Sequence, residues 1–247
     1  MNFRGKLIVF TFLLLLSSPA AMAEPLSAED KVEATPLAPG LYLLEGGGGN
    51  VTASIGADGV LLIDDDMANM SDKLLSKLKE LGGEAPRLIV NTHFHYDHSG
   101  GNAAFGPRAT IIAASAVRDR LMTEQTLWRQ KHPPVPRPGW PLLTFDRELQ
   151  LHVNGHSVRV IHLPHAHTDG DTVVSFDDGK FVIAGDLYFA GMFPIFHREH
   201  DGSLQGLLQA TEFLLKVTKP DGKVVPGHGP VTGRAELQAY AAMLRAR

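Results

Sequence analysis

The sequence contains no cysteine in 247 residues. No disulfide can form, and no thiolate can act as a nucleophile or a metal ligand. Clusters of lysine and arginine are also missing, and the 23 basic residues are outnumbered by 27 acidic ones. A nucleic-acid partner is therefore disfavoured, because binding to phosphate groups relies on clustered positive charge.

Internal repeats and long low-complexity tracts are absent as well. The composition, with 44% hydrophobic and 20% charged residues, is that of a globular protein that can bury a sizeable core. The ligand-type motifs described below are spread along most of the chain. We therefore expect a single domain, assigned to residues 40–247.

The N-terminus has the pattern of a cleavable secretory signal. Arg4 and Lys6 supply positive charge, an apolar run follows at residues 7–16, and the Ala-Met-Ala segment at 21–23 has the small residues of a cleavage site at its two ends. The run is shorter than the ~20 residues that span a bilayer. We predict a signal peptide over residues 1–23, then a leader over 24–39, and a periplasmic or secreted protein that is not membrane-bound after cleavage.

The hydrophobic pattern changes along the chain from strand clusters to strands alternating with helices. The predicted strands lie at 41–44, 51–55, 60–63, 87–91, 110–113, 149–153, 157–161, 172–176, 181–184 and 223–225. The predicted helices lie at 70–81, 115–130, 203–217 and 234–247. This arrangement indicates sheets packed inside with helices outside.

Two loops have more than one interpretation. Residues 45–50, which include four consecutive glycines, are either a plain hairpin connection or a mobile flap over a substrate. Residues 131–141, which contain five prolines, are either a surface connection or a semi-rigid cover over a pocket.

The most informative segment follows the strand predicted at 87–91. It places His93, His95, Asp97 and His98 within six residues. In an extended stretch alternate side chains point the same way, so the first three can converge while His98 turns towards a second position. Burying so many polar rings is costly without compensation, and metal coordination supplies it.

Three later motifs place further ligand-type residues at strand ends, where sites are usually assembled. His167 lies in a His-Ala-His-Thr segment, Asp186 follows a glycine, and His228 lies between two glycines. His165 precedes His167 by two positions, and a structural or supporting role is favoured for it. His197 and His200 lie in a loop after Asp186 that can border a pocket.

Together these motifs, His-x-His-x-Asp-His, His-Thr, Gly-Asp and Gly-His-Gly, resemble those of the metallo-β-lactamase superfamily in identity and order. The resemblance implies an α/β protein with an αβ/βα four-layer sandwich of two mixed β-sheets and outer helices. It also implies two Zn²⁺ ions per chain, bridged by Asp186. The implied metal ligands are His93, His95 and His167 for the first ion, and Asp97, His98 and His228 for the second.

Such a site predicts a hydrolase. A water shared by two cations loses a proton near neutral pH, giving a bridging hydroxide that attacks a β-lactam, lactone, ester or thioester carbonyl of a small-molecule substrate. Asp97 is the predicted catalytic residue, orienting the nucleophile or relaying its proton. Two alternatives stay open: a mononuclear iron oxygenase resembling persulfide dioxygenases, and a catalytically silent periplasmic metal-binding protein.

The position of Asp186 departs from the lactamases of this superfamily, which have cysteine or serine there. The nearby sequence offers no lysine or arginine for a β-lactam carboxylate, and Arg198 is interpreted as a solvated surface residue. The expected pocket is instead apolar, which favours a hydrophobic cyclic ester or amide. Its predicted wall consists of Tyr188, Phe189, Phe193, Phe196 and Trp140.

Overall fold

A computed structural model describes residues 31–127 and 129–247. The predicted signal peptide and Trp128 lie outside the described residues. Within those residues, no helix combines the length and the apolar character needed to cross a membrane.

Strands make up most of the two main layers. They are β1 (Glu33–Ala38), β2 (Leu41–Glu45), β3 (Val51–Gly56), β4 (Gly59–Ile63), β5 (Leu88–Val90), β6 (Thr110–Ala114), β7 (Gln125–Leu127), β8 (Gln130–His132), β9 (Leu143–Phe145), β10 (Glu148–Val153), β11 (His156–His162), β12 (Thr172–Phe176), β13 (Phe181–Phe189) and β14 (Lys223–His228). The α-helices are α1 (Ser71–Glu80), α2 (Tyr96–Ser99), α3 (Asn102–Phe105), α4 (Ser115–Leu121), α5 (Leu204–Val217) and α6 (Arg234–Arg245).

The strands form two mixed sheets. The first has seven strands in the order β1-β2-β3-β4-β5-β6-β9. It is antiparallel from β1 to β4 and parallel from β4 to β9. The second has five strands in the order β10-β11-β12-β13-β14, antiparallel except for the parallel pair β13-β14. Strands β7 and β8 form a separate hairpin.

Apolar side chains fill three spaces and so create four layers. Between the sheets, residues such as Val90 and Val174 pack together. On the outer face of the first sheet, α1 buries Leu74. On the outer face of the second, α5 and α6 bury Leu207 and Leu237. The predicted αβ/βα sandwich of two mixed sheets with outer helices is confirmed.

Strand β9 and the short helices α2 and α3 were not predicted, and two further segments differ from the sequence-based expectation. The predicted leader contributes β1, which pairs with β2 at the edge of the first sheet; Pro36 suits an edge strand, where a missing N–H is tolerated. The helix predicted at 115–130 is wrong beyond Leu121. The hydroxyl of Thr123 and the side-chain amide of Gln125 both donate to the carbonyl of Arg120, which occupies a helix-terminal acceptor.

Candidate metal centre

The four predicted motifs lie at strand ends whose side chains meet in one place. His93 lies in a bend after β5, His95 has extended backbone, and α2 begins directly afterwards, which turns Asp97 and His98 to a different direction. The later side chains come from the β11–β12 connection, from β13 and from the last residue of β14. A register shift next to left-handed Gly185 lies directly before Asp186.

The first group consists of His93, His95, His167 and Asp186, all buried. Nδ1 of His95 lies 2.9 Å from Nε2 of His93 and 3.0 Å from Nε2 of His167. Oδ2 of Asp186 lies 3.2 Å from the same nitrogen of His167. Three imidazole nitrogens and one carboxylate oxygen therefore converge on one point.

The second group consists of Asp97, His98 and His228. Nε2 of His98 lies 3.3 Å from Nε2 of His228, which lies 3.3 Å from Oδ2 of Asp97. Oδ1 of Asp186 lies 3.2 Å from Nε2 of His98. The two oxygens of Asp186 thus face different groups, which is the arrangement a bridging carboxylate requires.

The hydrogen bonds around the first group leave nitrogen lone pairs pointing at one another. The hydroxyl of Thr92 lies 2.7 Å from a carboxylate oxygen of Asp64 and 3.0 Å from Nδ1 of His93. Because that hydroxyl donates to the carboxylate, it accepts from Nδ1, and Nε2 of His93 carries a lone pair. Nδ1 of His167 donates to the carbonyl of Ile195 at 2.8 Å, so its Nε2 is a lone pair too.

Nδ1 of a neutral His95 can offer a proton to only one of the two nitrogens that face it, Nε2 of His93 or Nε2 of His167. The remaining lone pairs repel one another unless a cation lies between them. Oδ1 of Asp186 is also buried without a hydrogen bond of good geometry among the described residues, although Nε2 of His98 lies 3.2 Å from it. The residues present therefore fit bound divalent cations. Imidazole and carboxylate donors suit Zn²⁺.

The electrostatics of the first group favour ligand-ready forms. Burial lowers the pKa of His93, His95 and His167, which keeps these rings neutral. Burial alone would raise the pKa of Asp186, but His98 holds it well below its ordinary value. Metal ions bind neutral imidazole and ionised carboxylate, so neither kind of ligand must first lose a proton here.

A comparison with protein families now identifies the fold. Residues 44–228 match the family model described as the metallo-beta-lactamase superfamily. The chain belongs to this superfamily. The match spans all seven ligand-type side chains, and it agrees with the resemblance drawn from the four motifs.

Solved structures and curated relatives agree with that membership. A metallo-beta-lactamase from Pontibacter korlensis superposes with a TM-score of 0.73 at 19% identity, covering 88% of this chain and all (100%) of that one. A hydroxyacylglutathione hydrolase of Synechococcus sp. (strain JA-3-3Ab) is 31% identical over 58% of this chain and 52% of its own length. Acyl-coenzyme A thioesterase MBLAC2 of Homo sapiens is 29% identical over 46% and 45%. The chain thus spans about half the length of the curated relatives it matches.

Asp64 is a buried residue beside both ligand groups that the sequence motifs did not single out. One carboxylate oxygen accepts from the backbone N–H of Thr92 at 2.7 Å, and the other contacts Nδ1 of His98 at 2.8 Å. Through the Thr92 hydroxyl, the same carboxylate also holds His93. One buried side chain therefore orients a ligand of each group, as outer hydrogen bonds to metal ligands commonly do.

The glycine-rich loop at 45–50 packs against the second group. Its backbone is fixed by hydrogen bonds from Gly49 to the carbonyl of Asp97 and from Asn50 to the carbonyl of Gly227. A Cβ placed on Gly49 would lie 2.2 Å from Cε1 of His98. These contacts are consistent with the hairpin connection between the antiparallel strands β2 and β3, and the glycines allow the backbone to approach the His98 ring closely.

Other predicted neighbours fall in different places. His165 is exposed with left-handed φ and belongs to neither ligand group, and its carbonyl accepts from Ser203 at the start of α5. Arg198 is exposed, as expected. A cavity of about 270 Å³ opens onto both groups. Its apolar wall consists of Leu127, Phe189, Met192, Phe193 and Ile195.

Three residues predicted for that wall lie elsewhere. Tyr188 is buried against Tyr240 beneath α6, because β13 runs on to Phe189 and its side chains alternate between faces. Phe196 borders a different surface cavity. Trp140 is partly buried, because it donates to the carbonyl of Val135 and packs on the inter-sheet core.

Proposed function

We propose that this chain is a dinuclear zinc-dependent hydrolase that cleaves small thioesters, lactones or esters with an apolar acyl group. The observation that carries the proposal is the division of Asp186 between the two ligand groups, with Oδ2 at 3.2 Å from His167 and Oδ1 at 3.2 Å from His98. The names of the curated relatives support it, because a hydroxyacylglutathione hydrolase and an acyl-coenzyme A thioesterase both cleave thioesters.

The chemistry divides between the cations and the chain. When bound, two divalent cations polarise a carbonyl and lower the pKa of a water molecule that can attack it. Asp97 lines the cavity and stays ionised: burial would raise its pKa, but His98 and the hydrogen bond to His228 lower it. The carboxylate of Asp97 can therefore accept the proton of the attacking water and return it to the leaving group.

The cavity wall supports the choice of acyl group. In the part of the chain that the structure describes, the wall contains no lysine or arginine. A substrate carboxylate would therefore lose hydration without gaining a cationic partner from the wall. Apolar acyl groups can pack against Phe189 and Met192, so we rank thioesters, lactones and esters above β-lactams.

The second ligand group supports two cations instead of one. A mononuclear iron centre of the oxygenase type would use the first group and leave Asp97, His98 and His228 clustered without a shared task. The cavity reaching both groups supports a catalytic site over a silent binding protein, because a storage site has no need of substrate access.

Metal counting combined with a substrate panel tests the proposal. Purified protein reconstituted with zinc should hold at least two tightly bound ions, one at each ligand group, and hydrolyse at least one member of a panel of short-chain thioesters, lactones and esters. Asp186→Ala should lower second-ion occupancy and reduce kcat/KM by roughly 100-fold or more. Asp72→Ala, at an exposed position on α1, is the matched control and should leave both quantities unchanged.

Two results would contradict the proposal. If zinc-loaded protein turns over no substrate of the panel, the hydrolase assignment is wrong. If Asp186→Ala retains both ions and full turnover, the bridging role of that carboxylate is wrong.

A further inference from the structure

His95, His197 and His200 form a second cluster of buried histidines beside the first ligand group. One nitrogen of each ring lies within 4.8 Å of the others. The rings of His95 and His197 are 4.8 Å apart, and those of His197 and His200 are 5.8 Å apart. No more than 5% of any of the three residues is exposed. No role for His197 or His200 follows from the dinuclear centre.

Two nitrogens in this cluster are buried without a hydrogen-bond partner among the described residues: Nε2 of His95 and Nδ1 of His200. The other nitrogen of His95 is already committed, because it faces His93 and His167 at 2.9 and 3.0 Å. Nε2 is therefore the nitrogen that His95 has left to offer. Buried polar atoms without partners are costly, so a ligand for these two nitrogens is expected.

The segment that carries the cluster is firmly held. The N–H of His197 donates to the carbonyl of His167 at 2.9 Å, and the N–H of Gly202 donates to the carbonyl of His197 at 2.8 Å. The ring of Phe94 packs edge-on against His200, with centroids 4.9 Å apart. The backbone of His167 therefore fixes His197, and the ring of Phe94 fixes His200, which keeps both imidazoles beside His95.

We propose that His95, His197 and His200 bind a third cation. Three imidazoles with no oxygen donor suit Zn²⁺, Cu²⁺ or Ni²⁺ and not Mg²⁺ or Ca²⁺, which require oxygen ligands. His95 would be shared, with Nδ1 towards the first ion and Nε2 towards the third. To bind through both nitrogens, its ring must release the Nε2 proton to solvent, so one proton leaves His95 for each third ion bound.

Metal counting on the whole protein tests this site without any measurement of turnover. Metal-free protein is saturated with Zn²⁺ or Cu²⁺, separated from free ions and analysed by elemental mass spectrometry. We expect three ions in the wild type and two in both His200→Ala and His200→Gln. The control His152→Ala removes an exposed histidine on β10 and should retain three. Circular dichroism establishes that each variant is folded.

Calorimetry in two buffers of different ionisation enthalpy gives the second measurement. In the wild type, we expect the third equivalent of Zn²⁺ to bind with release of one proton. In His200→Ala, we expect neither binding nor proton release at the third equivalent.

Two outcomes would overturn the third site. One is a wild-type count of two ions that His200→Ala leaves unchanged. The other is a wild-type count of two ions that falls to one in His200→Ala, because that would make His200 a hydrogen-bond acceptor that positions His95. Since all outcomes are read from ion counts, the third site can fail while the dinuclear hydrolase stands, and the reverse.

Discussion

Replacing Asp64 by asparagine should weaken metal binding although this residue touches no metal. The change keeps the size of the side chain and suits the left-handed backbone at φ 62°, which asparagine adopts about as readily as aspartate. One amide oxygen can still accept from the backbone N–H of Thr92. The amide NH₂ then replaces the oxygen that contacts the Thr92 hydroxyl and Nδ1 of His98 at 2.7 and 2.8 Å.

The expected size of the effect follows from the tautomer of His98. Facing an amide donor, Nδ1 of His98 must give up its proton, and the neutral ring then carries a proton on Nε2, the nitrogen that faces the second group. Loss of such an outer hydrogen bond typically costs 10–100-fold in metal affinity, which corresponds to about 1.4–2.7 kcal/mol. The second ion should be affected more than the first, because His93 is reached only through Thr92.

Competition with a zinc chelator, which resolves the affinities of the successive ions, is the measurement. Asp72→Asn, on the exposed face of α1, is the control for loss of one negative charge. Asp64→Asn should weaken the second ion by at least tenfold, and Asp72→Asn by less than twofold. An Asp64→Asn affinity within threefold of the wild type would show that this hydrogen-bond chain does not orient the ligands.

Three further changes test other parts of the site. Gly49→Ala places a Cβ 2.2 Å from the His98 ring and should lower the affinity for the second ion by roughly tenfold or more. The control Gly233→Ala, whose Cβ meets one atom at 3.5 Å, should leave that affinity unchanged in chelator competition. Equal affinities in the two variants would refute the clash. Burial raises the pKa of Asp171 to about 8, so the folded chain keeps a proton that the unfolded chain loses near pH 3.8, and the free energy of unfolding falls as pH rises towards 8. Between pH 5 and pH 8, urea unfolding should show a smaller fall in this free energy for Asp171→Asn than for the wild type. An identical fall would contradict the assignment. Phe193→Lys, at a position 73% exposed, should raise kcat/KM for acyl groups ending in a carboxylate relative to neutral ones without altering thermal stability; an unchanged preference would remove Phe193 from the substrate contacts.

Local sequence signals predicted those parts of the fold that depend on neighbouring residues. The hairpin at Asn154-Gly155 is formed by β10 and β11, with φ of 53° and 80° at the turn, because both residues tolerate positive φ. The ligand-type side chains could also be named, since each follows an apolar strand. The prediction that these side chains converge depended on the family resemblance. Spacing along the chain does not show that the end of β5 lies near β13 and β14, which belong to the other sheet.

What the sequence did not reveal depends on contacts between distant segments. Asp64 follows β4, and it can contact Thr92 only because β4 pairs in parallel with β5, which brings the two residues side by side. Three consecutive acidic residues after an apolar strand were an available signal, because such a run is costly to bury without partners. Residues 45–50 look flexible by composition, yet their glycines serve close packing against His98, which only the folded chain shows.

The charge balance of the site also explains why binding of the second ion should be linked to protons. Burial would lower the pKa of His98, but Asp186 and Asp97 raise it well above its ordinary value. In the metal-free protein, this protonated imidazole supplies the positive charge that the two carboxylates require. A cation bound there takes over that role and displaces the proton from Nε2, whereas the neutral rings of the first group have no proton to release. Acid should therefore empty the second position before the first.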